Sequence, residues 1–368
     1  MSGPAAKRFK THLLALERNR TSTGRDTDNG LCLDRNERVI PFPKSVMNAL
    51  RKTLTSQVLT YYPDTDAVYA KLARFTGMPA DHLYITNGIT ESIRVLYETL
   101  TSPGDEVIVI DPTYPMYRIY SHIYQVRHRP IGFDEKPELC LSDAHAALSA
   151  KTVFLAIANP NLPIESYVSL DTLRDLARRC REVGAFLVVD EAYGFFGAET
   201  ATGLIKEFDN VIVLQTYSKA FGLAGARLGY MISRPETIAY LSKTRSLVES
   251  NGPSLAIASY MLDHPEIMRA YSRAVREGRN ELRRGLDKLG ARWLGGDRTN
   301  AMLVFLRDND AVKDLVACMR LKKIYIRASF DKPLDRAVRI TLGPRKAMSA
   351  FLKELTAWLK KNPGRLNP

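Results

Sequence analysis

Four short apolar runs, at 107–110, 153–158, 186–189 and 211–214, limit what this chain can fold into more than any other feature. Each is four to six residues long and apolar at almost every position. A strand with one wet face alternates apolar and polar residues, whereas a continuous apolar run reads as a strand covered on both faces, as in a parallel sheet. Helix-period segments lie between the runs. Residues 90–100 place Ile93, Leu96, Tyr97 and Leu100 on one face, and 171–183 do the same with Leu173, Leu176 and Cys180, with Ser169 or Asp171 available as cap. Pro103-Gly104-Asp105 punctuates the passage from helix into the next strand. The alternation predicts a three-layer α/β/α fold around a mostly parallel sheet with right-handed crossovers, and ligands in such sheets sit at the carboxyl ends of the strands.

The last third has a different pattern: a long charged helix at 264–290, short strands at 302–306, 323–327 and 337–341, and a final helix at 345–361. With 368 residues, the chain has room for a large unit at 45–255 and a smaller α+β unit formed by 1–44 with 256–368. No apolar run approaches the roughly 20 residues needed to span a bilayer. The four cysteines, Cys32, Cys140, Cys180 and Cys318, are scattered without CxxC or metal spacing, so reduced packing thiols in a cytoplasmic protein and no metal site are expected. The net charge of +13 is spread along the sequence without a helix-turn-helix or zinc-finger pattern, so it points to anionic small molecules and solvated surface rather than nucleic acid. The basic residues in 1–30 resemble a transit peptide, but a helix over 7–20 followed by a loop is the preferred reading.

Chemistry concentrates where buried strands end. Lys219 follows the strand at 211–214 within Tyr217-Ser218-Lys219. A lysine is seldom buried without a chemical partner, and desolvation leaves its amine free to attack a carbonyl. Asp190 closes the neighbouring run, 29 residues earlier and about one β-α unit away. An acid there can hold a pyridine nitrogen protonated, and Tyr193 is placed to donate a hydrogen bond. Thr216, Ser218 and Arg227 offer two hydroxyls and a guanidinium to a phosphate dianion, and Asn87-Gly88-Ile89 opens a helix whose free N–H groups attract one.

These motifs together carry a resemblance. Thr216-Tyr217-Ser218-Lys219-Ala220-Phe221-Gly222 through Arg227 resembles the lysine motif of class I/II (fold type I) pyridoxal-phosphate (PLP) aminotransferases, most closely the histidinol-phosphate aminotransferases. Asp190-Glu191-Ala192-Tyr193, Tyr61-Tyr62-Pro63-Asp64, Asp111-Pro112-Thr113-Tyr114 and Val338-Arg339-Ile340-Thr341 resemble further family segments, in order, from about 31 to 360. The resemblance implies the aspartate-aminotransferase fold and a Schiff base between Lys219 and PLP. It further implies that Asp190 meets the ring nitrogen, Tyr193 the ring oxygen and Tyr114 the ring face. Gly88, Ile89, Thr216, Ser218 and Arg227 would hold the phosphate, with Tyr62 reaching across to the neighbouring subunit of a homodimer. Arg339 would grip the substrate carboxylate, Arg327 the far end of an anionic substrate, and Asn36 would line the substrate side. The implied reaction moves an amino group from glutamate to a small anionic keto or aldehyde compound.

Two positions depart from the family. In Asn159-Pro160-Asn161-Leu162-Pro163-Ile164-Glu165, Leu162 replaces the asparagine that bonds the ring oxygen, so Tyr193 carries that bond alone, Asn161 shifts into place, or the cofactor's electronics differ. Thr90 stands where an acid is common. Decarboxylation of an O-phospho amino acid is the rival reaction, because related decarboxylases share these motifs and the bond that breaks depends on an angle no sequence displays. A non-catalytic PLP-binding protein is a further rival, opposed by the intact Lys219, Asp190 and Arg339. Tyr61, Tyr117, Tyr120 and Tyr124 are expected to be structural, and His122, His128 and His145 to have no role.

Overall fold

The structure is a computed structural model and describes residues 8–17, 24–132 and 141–367. In chain order its strands are β1 (Leu31–Leu33), β2 (Leu83–Thr86), β3 (Glu106–Ile110), β4 (Arg127–Ile131), β5 (Thr152–Ala158), β6 (Phe186–Asp190), β7 (Val211–Thr216), β8 (Gly229–Ile232), β9 (Trp293–Leu294), β10 (Ala301–Phe305), β11 (Ile324–Ile326) and β12 (Ala337–Thr341). The main sheet has seven strands in the order β2-β8-β7-β6-β5-β3-β4. Its β7-β6-β5-β3-β4 portion is parallel throughout, and β8 runs antiparallel to both neighbours. A three-stranded antiparallel sheet, β12-β10-β9, and a parallel pair, β1-β11, stand apart from it.

The apolar runs are buried on both faces because alternate residues enter different cores. Ile108, Leu155, Ile157, Leu187, Val189, Val211 and Val213 pack on one face with Leu173, Leu176, Ala177 and Cys180 of helix Leu170–Glu182. Val107, Val109, Phe154, Ala156, Val188, Ile212 and Leu214 face the opposite way, onto Ile93, Val95, Leu96 and Tyr97 of helix Ile89–Leu100. Each such aliphatic side chain contributes about 1.5–3 kcal/mol on leaving water. The expected three-layer α/β/α arrangement is therefore the observed one. Of the two candidate caps on helix Leu170–Glu182, Ser169 fills the role, its side chain accepting from the Thr172 N–H.

The C-terminal expectations fall close to the helices Pro265–Lys288 and Arg345–Lys361 and to β10, β11 and β12. The N-terminal helix is shorter than expected: Thr11–Leu14 form one turn without a side-chain cap or a buried residue, and Lys7 and residues 18–20 lie outside the described residues, as does Cys140. Among the described residues no helix is long and apolar enough to cross a membrane, and no group of three or more His, Cys, Asp or Glu could hold a metal.

Candidate active site

The site gathers at the carboxyl ends of β6 and β7. Asp190 is the last residue of β6, paired in register with Ala158 of β5 and Leu214 of β7. It is 3% exposed, and its oxygens accept from the Ala192 N–H at 3.0 Å and the Tyr117 hydroxyl at 3.2 Å. Burial pushes its carboxyl up to about 6, although those donors and the nearby Lys219 amine pull the other way. Near neutral pH it is therefore mostly ionised, and among the described residues no cation forms an ion pair with it.

Lys219 sits three residues beyond β7, its Nζ donating to the Arg35 carbonyl at 3.2 Å and standing 5.7 Å from the centre of the Tyr193 ring. Burial, assisted by the Arg339 and Arg227 charges, lowers its amine to about 8. The Tyr193 hydroxyl accepts from the Asn36 amide at 2.8 Å, which leaves its own hydrogen free to donate into the site. Asn36 is buried and held by Thr341, whose hydroxyl accepts from the Asn36 N–H at 2.9 Å.

An anion cradle lies on the β7-β8 side. Thr216 Oγ1 accepts from the Ser218 N–H at 3.1 Å, stacking the two hydroxyls. The Arg227 guanidinium donates only to carbonyls, those of Ala224 at 3.2 Å and Asn87 at 3.5 Å, and no carboxylate pairs with it among the described residues. It lies directly over Gly88, where an added Cβ would come within 3.1 Å of Nη2. Gly88 has φ 76° and ψ 167°, a region essentially confined to glycine, immediately before the free N–H groups of helix Ile89–Leu100. Gly88→Ala is expected to destabilise the fold by about 1–3 kcal/mol and to weaken cofactor binding, read as a higher Kd in a spectral titration; an unchanged Kd would remove Gly88 from the cradle.

Arg339, on β12, is half-buried, and desolvation lowers its guanidinium affinity for protons. Its Nη2 donates to the Asp34 carbonyl at 2.9 Å, while its Nε has no partner. The exposed Arg327 bridges to it backbone to backbone. Tyr114 is 43% exposed at the edge of the site, its hydroxyl 3.0 Å from Thr90 Oγ1, so Thr90 has a partner where an acid was absent.

Two residues stand apart from this cluster. Asn161 is fully buried, both amide hydrogens committed to the Pro112 and Ile164 carbonyls and its oxygen accepting from the Thr113 hydroxyl. It anchors its own loop and does not shift into the place of Leu162. Tyr62 is 85% exposed and Tyr61 72%, on the surface beside Leu54 and Leu59 in the chain. Sequence reasoning missed Tyr117: assigned to packing, it is 1% exposed and places its only side-chain polar group on Asp190. No spacing signal links residues 73 positions apart.

The arrangement fits pyridoxal phosphate on its own chemistry: among the described residues the Arg227 guanidinium, close over Gly88, meets no carboxylate, and the buried Asp190 carboxylate meets no cation in an ion pair while the nearby Lys219 amine is depressed. Residues 29–355 match the family model described as aminotransferase class I and II. A histidinol-phosphate aminotransferase of Citrifermentans bemidjiense is 31% identical over 342 residues, covering 92% of this chain and 94% of its own. One from Sinorhizobium fredii is 27% identical over 325 residues, covering 87% and 86%. The solved histidinol-phosphate aminotransferase of Sinorhizobium meliloti in complex with pyridoxal-5'-phosphate has a TM-score of 0.84 at 23% identity, covering 96% of this chain and 98% of that one. A tetra mutant of Thermus thermophilus aspartate aminotransferase gives 0.77 at 20%, covering 95% and 99%. At these identities the two solved structures establish the fold alone, and the family follows from the match across 29–355: the chain belongs to the class I and II aminotransferases, pyridoxal-phosphate enzymes of fold type I.

Proposed function

We propose that this aminotransferase works in the cytoplasm as a homodimer, moving an amino group from glutamate to a small anionic keto or aldehyde compound; the relatives named histidinol-phosphate aminotransferase support an aminotransferase that handles a small phosphorylated compound. The observation that carries the substrate reading is Arg339: a half-buried guanidinium whose buried Nε has no partner and which forms no ion pair among the described residues, close enough to Lys219 to depress its amine. A buried cation without a counter-charge is expensive unless an anion joins it, and a guanidinium fork matches a carboxylate with two bonds. Exposed Arg327 beside it would meet a second negative group. The named relatives favour transamination over decarboxylation of an O-phospho amino acid.

When bound, the cofactor supplies an electron sink for the bonds at the substrate α-carbon. Thr216, Ser218, Arg227 and the N–H groups at Gly88 and Ile89 would hold its phosphate. The Asp190 carboxylate would keep its ring nitrogen protonated, Tyr193 would donate to its ring oxygen without help from Leu162, and Tyr114 would lie against the ring. Asn36 fixes the Tyr193 hydroxyl, while Arg339 orients the substrate by its carboxylate. Lys219 Nζ accepts the α-proton and returns it. Asn161 supports the loop behind these residues. Tyr62, exposed on the surface, reaches the phosphate site of a second copy. The distribution of the sheets supports a large unit at 45–255 and a small one from 1–44 and 256–368.

Arg339→Lys is expected to raise KM for glutamate on the order of tenfold to a hundredfold, the loss of one charge-assisted bond from a bidentate pair. The assay is 2-oxoglutarate released from glutamate in a single turnover. Release of carbon dioxide instead of 2-oxoglutarate would overturn the reaction, and an unchanged KM would overturn the role of Arg339.

A further inference from the structure

The loop after β5 leaves the seven-stranded sheet and packs Ile164 against the three-stranded one before helix Leu170–Glu182. Its base is pinned twice: Asn159 exchanges side-chain bonds with the Val168 backbone, and Asn161 bonds the Ile164 carbonyl. Ile164 and Glu165 lie within the span closed by Asn159 and Val168. Ile164 is 8% exposed, and it is buried in the cluster of Leu303 and Phe305 from β10, Ala337 from β12 and Leu334. Phe330 lies against the same cluster and under the Arg339 guanidinium, 5.9 Å away.

Glu165 makes the second contact. Its carboxylate accepts from the Arg298 N–H at 2.8 Å and from the Thr299 hydroxyl. A Cβ on Gly296 would fall 2.0 Å from Glu165 Oε1, so a side chain there would push the Glu165 carboxylate off its partners. Helix Pro265–Lys288 holds the other side of that loop: Arg279 donates to the Asp297 and Thr299 carbonyls, and Arg283 to those of Gly295 and Gly296. The carbonyls thus face the helix, and the donors that remain face Glu165.

This segment leads toward the residues on the substrate side. Thr299 leads into Asn300, whose amide donates to the Asn36 carbonyl at 3.1 Å, and Asn36 in turn holds the Tyr193 hydroxyl. Three residues on, Leu303 pairs with Arg339 across β10 and β12. We propose that Ile164 and Glu165 are positioning residues: by fastening the β5 loop to residues 296–299 and to the β10-β12 sheet, they set where Arg339 and Asn36 stand relative to Lys219. The inference rests on the reading of Arg339 as the carboxylate grip, and its test separates the two.

The experiment uses PLP-loaded enzyme and compares Glu165→Ala, Glu165→Gln and Thr299→Val. Glu165→Ala is expected to raise KM for glutamate on the order of tenfold to a hundredfold, as displaced positioning groups do, with kcat little changed. Hydrogen exchange at 296–303 is expected to quicken while 186–190 and 211–219 stay protected. Glu165→Gln keeps an acceptor for the Arg298 N–H and restores most of the KM. Thr299→Val removes the hydroxyl donor at nearly constant volume, so it tests the same contact should Glu165→Ala fail to fold. Unchanged KM and unchanged exchange in both Glu165→Ala and Thr299→Val would overturn the proposal. So would exchange that quickens throughout the fold with no rescue by Gln, which marks a merely structural contact. If Arg339→Lys leaves KM unaltered while Glu165→Ala still loosens 296–303, the carboxylate grip falls, and with it the stated purpose of the latch.

Discussion

Replacing Lys219 by alanine is expected to lower transamination about 10⁴-fold or more, the upper range for a positioned proton-transfer group. The fold should persist, since Lys219 contributes one side-chain hydrogen bond, to the Arg35 carbonyl, and its removal relieves a buried amine. Two measurements separate this expectation from a general loss of structure. Borohydride reduction of the wild-type holoenzyme should fix the cofactor on the peptide that carries Lys219, as read by peptide mass, and should fix none in the variant. Retention of the wild-type visible band and turnover in Lys219→Ala would overturn the whole site assignment.

A pH dependence follows from the same residue. Burial and two neighbouring guanidinium groups lower the amine to about 8 from its usual 10.5. At pH 7 roughly one amine in ten is then neutral, against about one in three thousand for an ordinary lysine. Only the neutral amine attacks a carbonyl, so the rate at which apoprotein takes up cofactor should rise close to tenfold per unit below pH about 8 and level off above it.

The part of this molecule legible in its sequence was the part buried on two sides. Strands β3, β5, β6 and β7 announce themselves because a parallel strand covered by helices is apolar along its interior, with polar residues only at its ends. Edge strand β4, Arg-His-Arg-Pro-Ile, is exposed at most positions and has no apolar run to read. Strands β2 and β8 are buried but only four residues long, too short to separate from a turn of helix. The same logic divides the site. Asp190 ends β6, Lys219 follows β7 and Arg227 precedes β8, where local pattern and family resemblance agree. Tyr117 on Asp190, Asn300 on Asn36 and Glu165 on Thr299 are contacts between residues 73, 264 and 134 positions apart. Each is created by the packing of one element on another, which a local pattern does not encode. Asn161 makes the point from the other side, since its place beside Leu162 said nothing of the three partners that hold it in the loop.

Asp190→Asn is expected to cut kcat on the order of 10³-fold, comparable to losing one preorganised electrostatic partner, and at the same time to stabilise the apoprotein. The two effects have opposite signs for one reason. Without cofactor, the buried carboxylate has donors but no counter-cation, and burial raises it from 3.8 to about 6. A raised acid favours the folded state most below the unfolded value, near 3.8, and that advantage is lost as pH climbs through about 6. At neutral pH the ionised side chain therefore costs the fold on the order of 2–3 kcal/mol. Asparagine removes the charge and keeps the shape: its carbonyl still accepts from the Ala192 N–H, and its amide can donate to the Tyr117 oxygen once that hydroxyl turns. Apoprotein Tm should rise near pH 7, and the gain should shrink as pH falls through about 6 and vanish only below the unfolded value of 3.8, where Asp190 is protonated in both states. Cofactor binding should then raise Tm less in the variant than in the wild type, because the partner for the ring nitrogen is gone. A variant with lower apoprotein Tm and unaltered kcat would mean that Asp190 serves the sheet rather than the cofactor. The combination expected here, a tighter fold with a slower enzyme, arises only if the charge is kept for a partner that the protein itself does not provide.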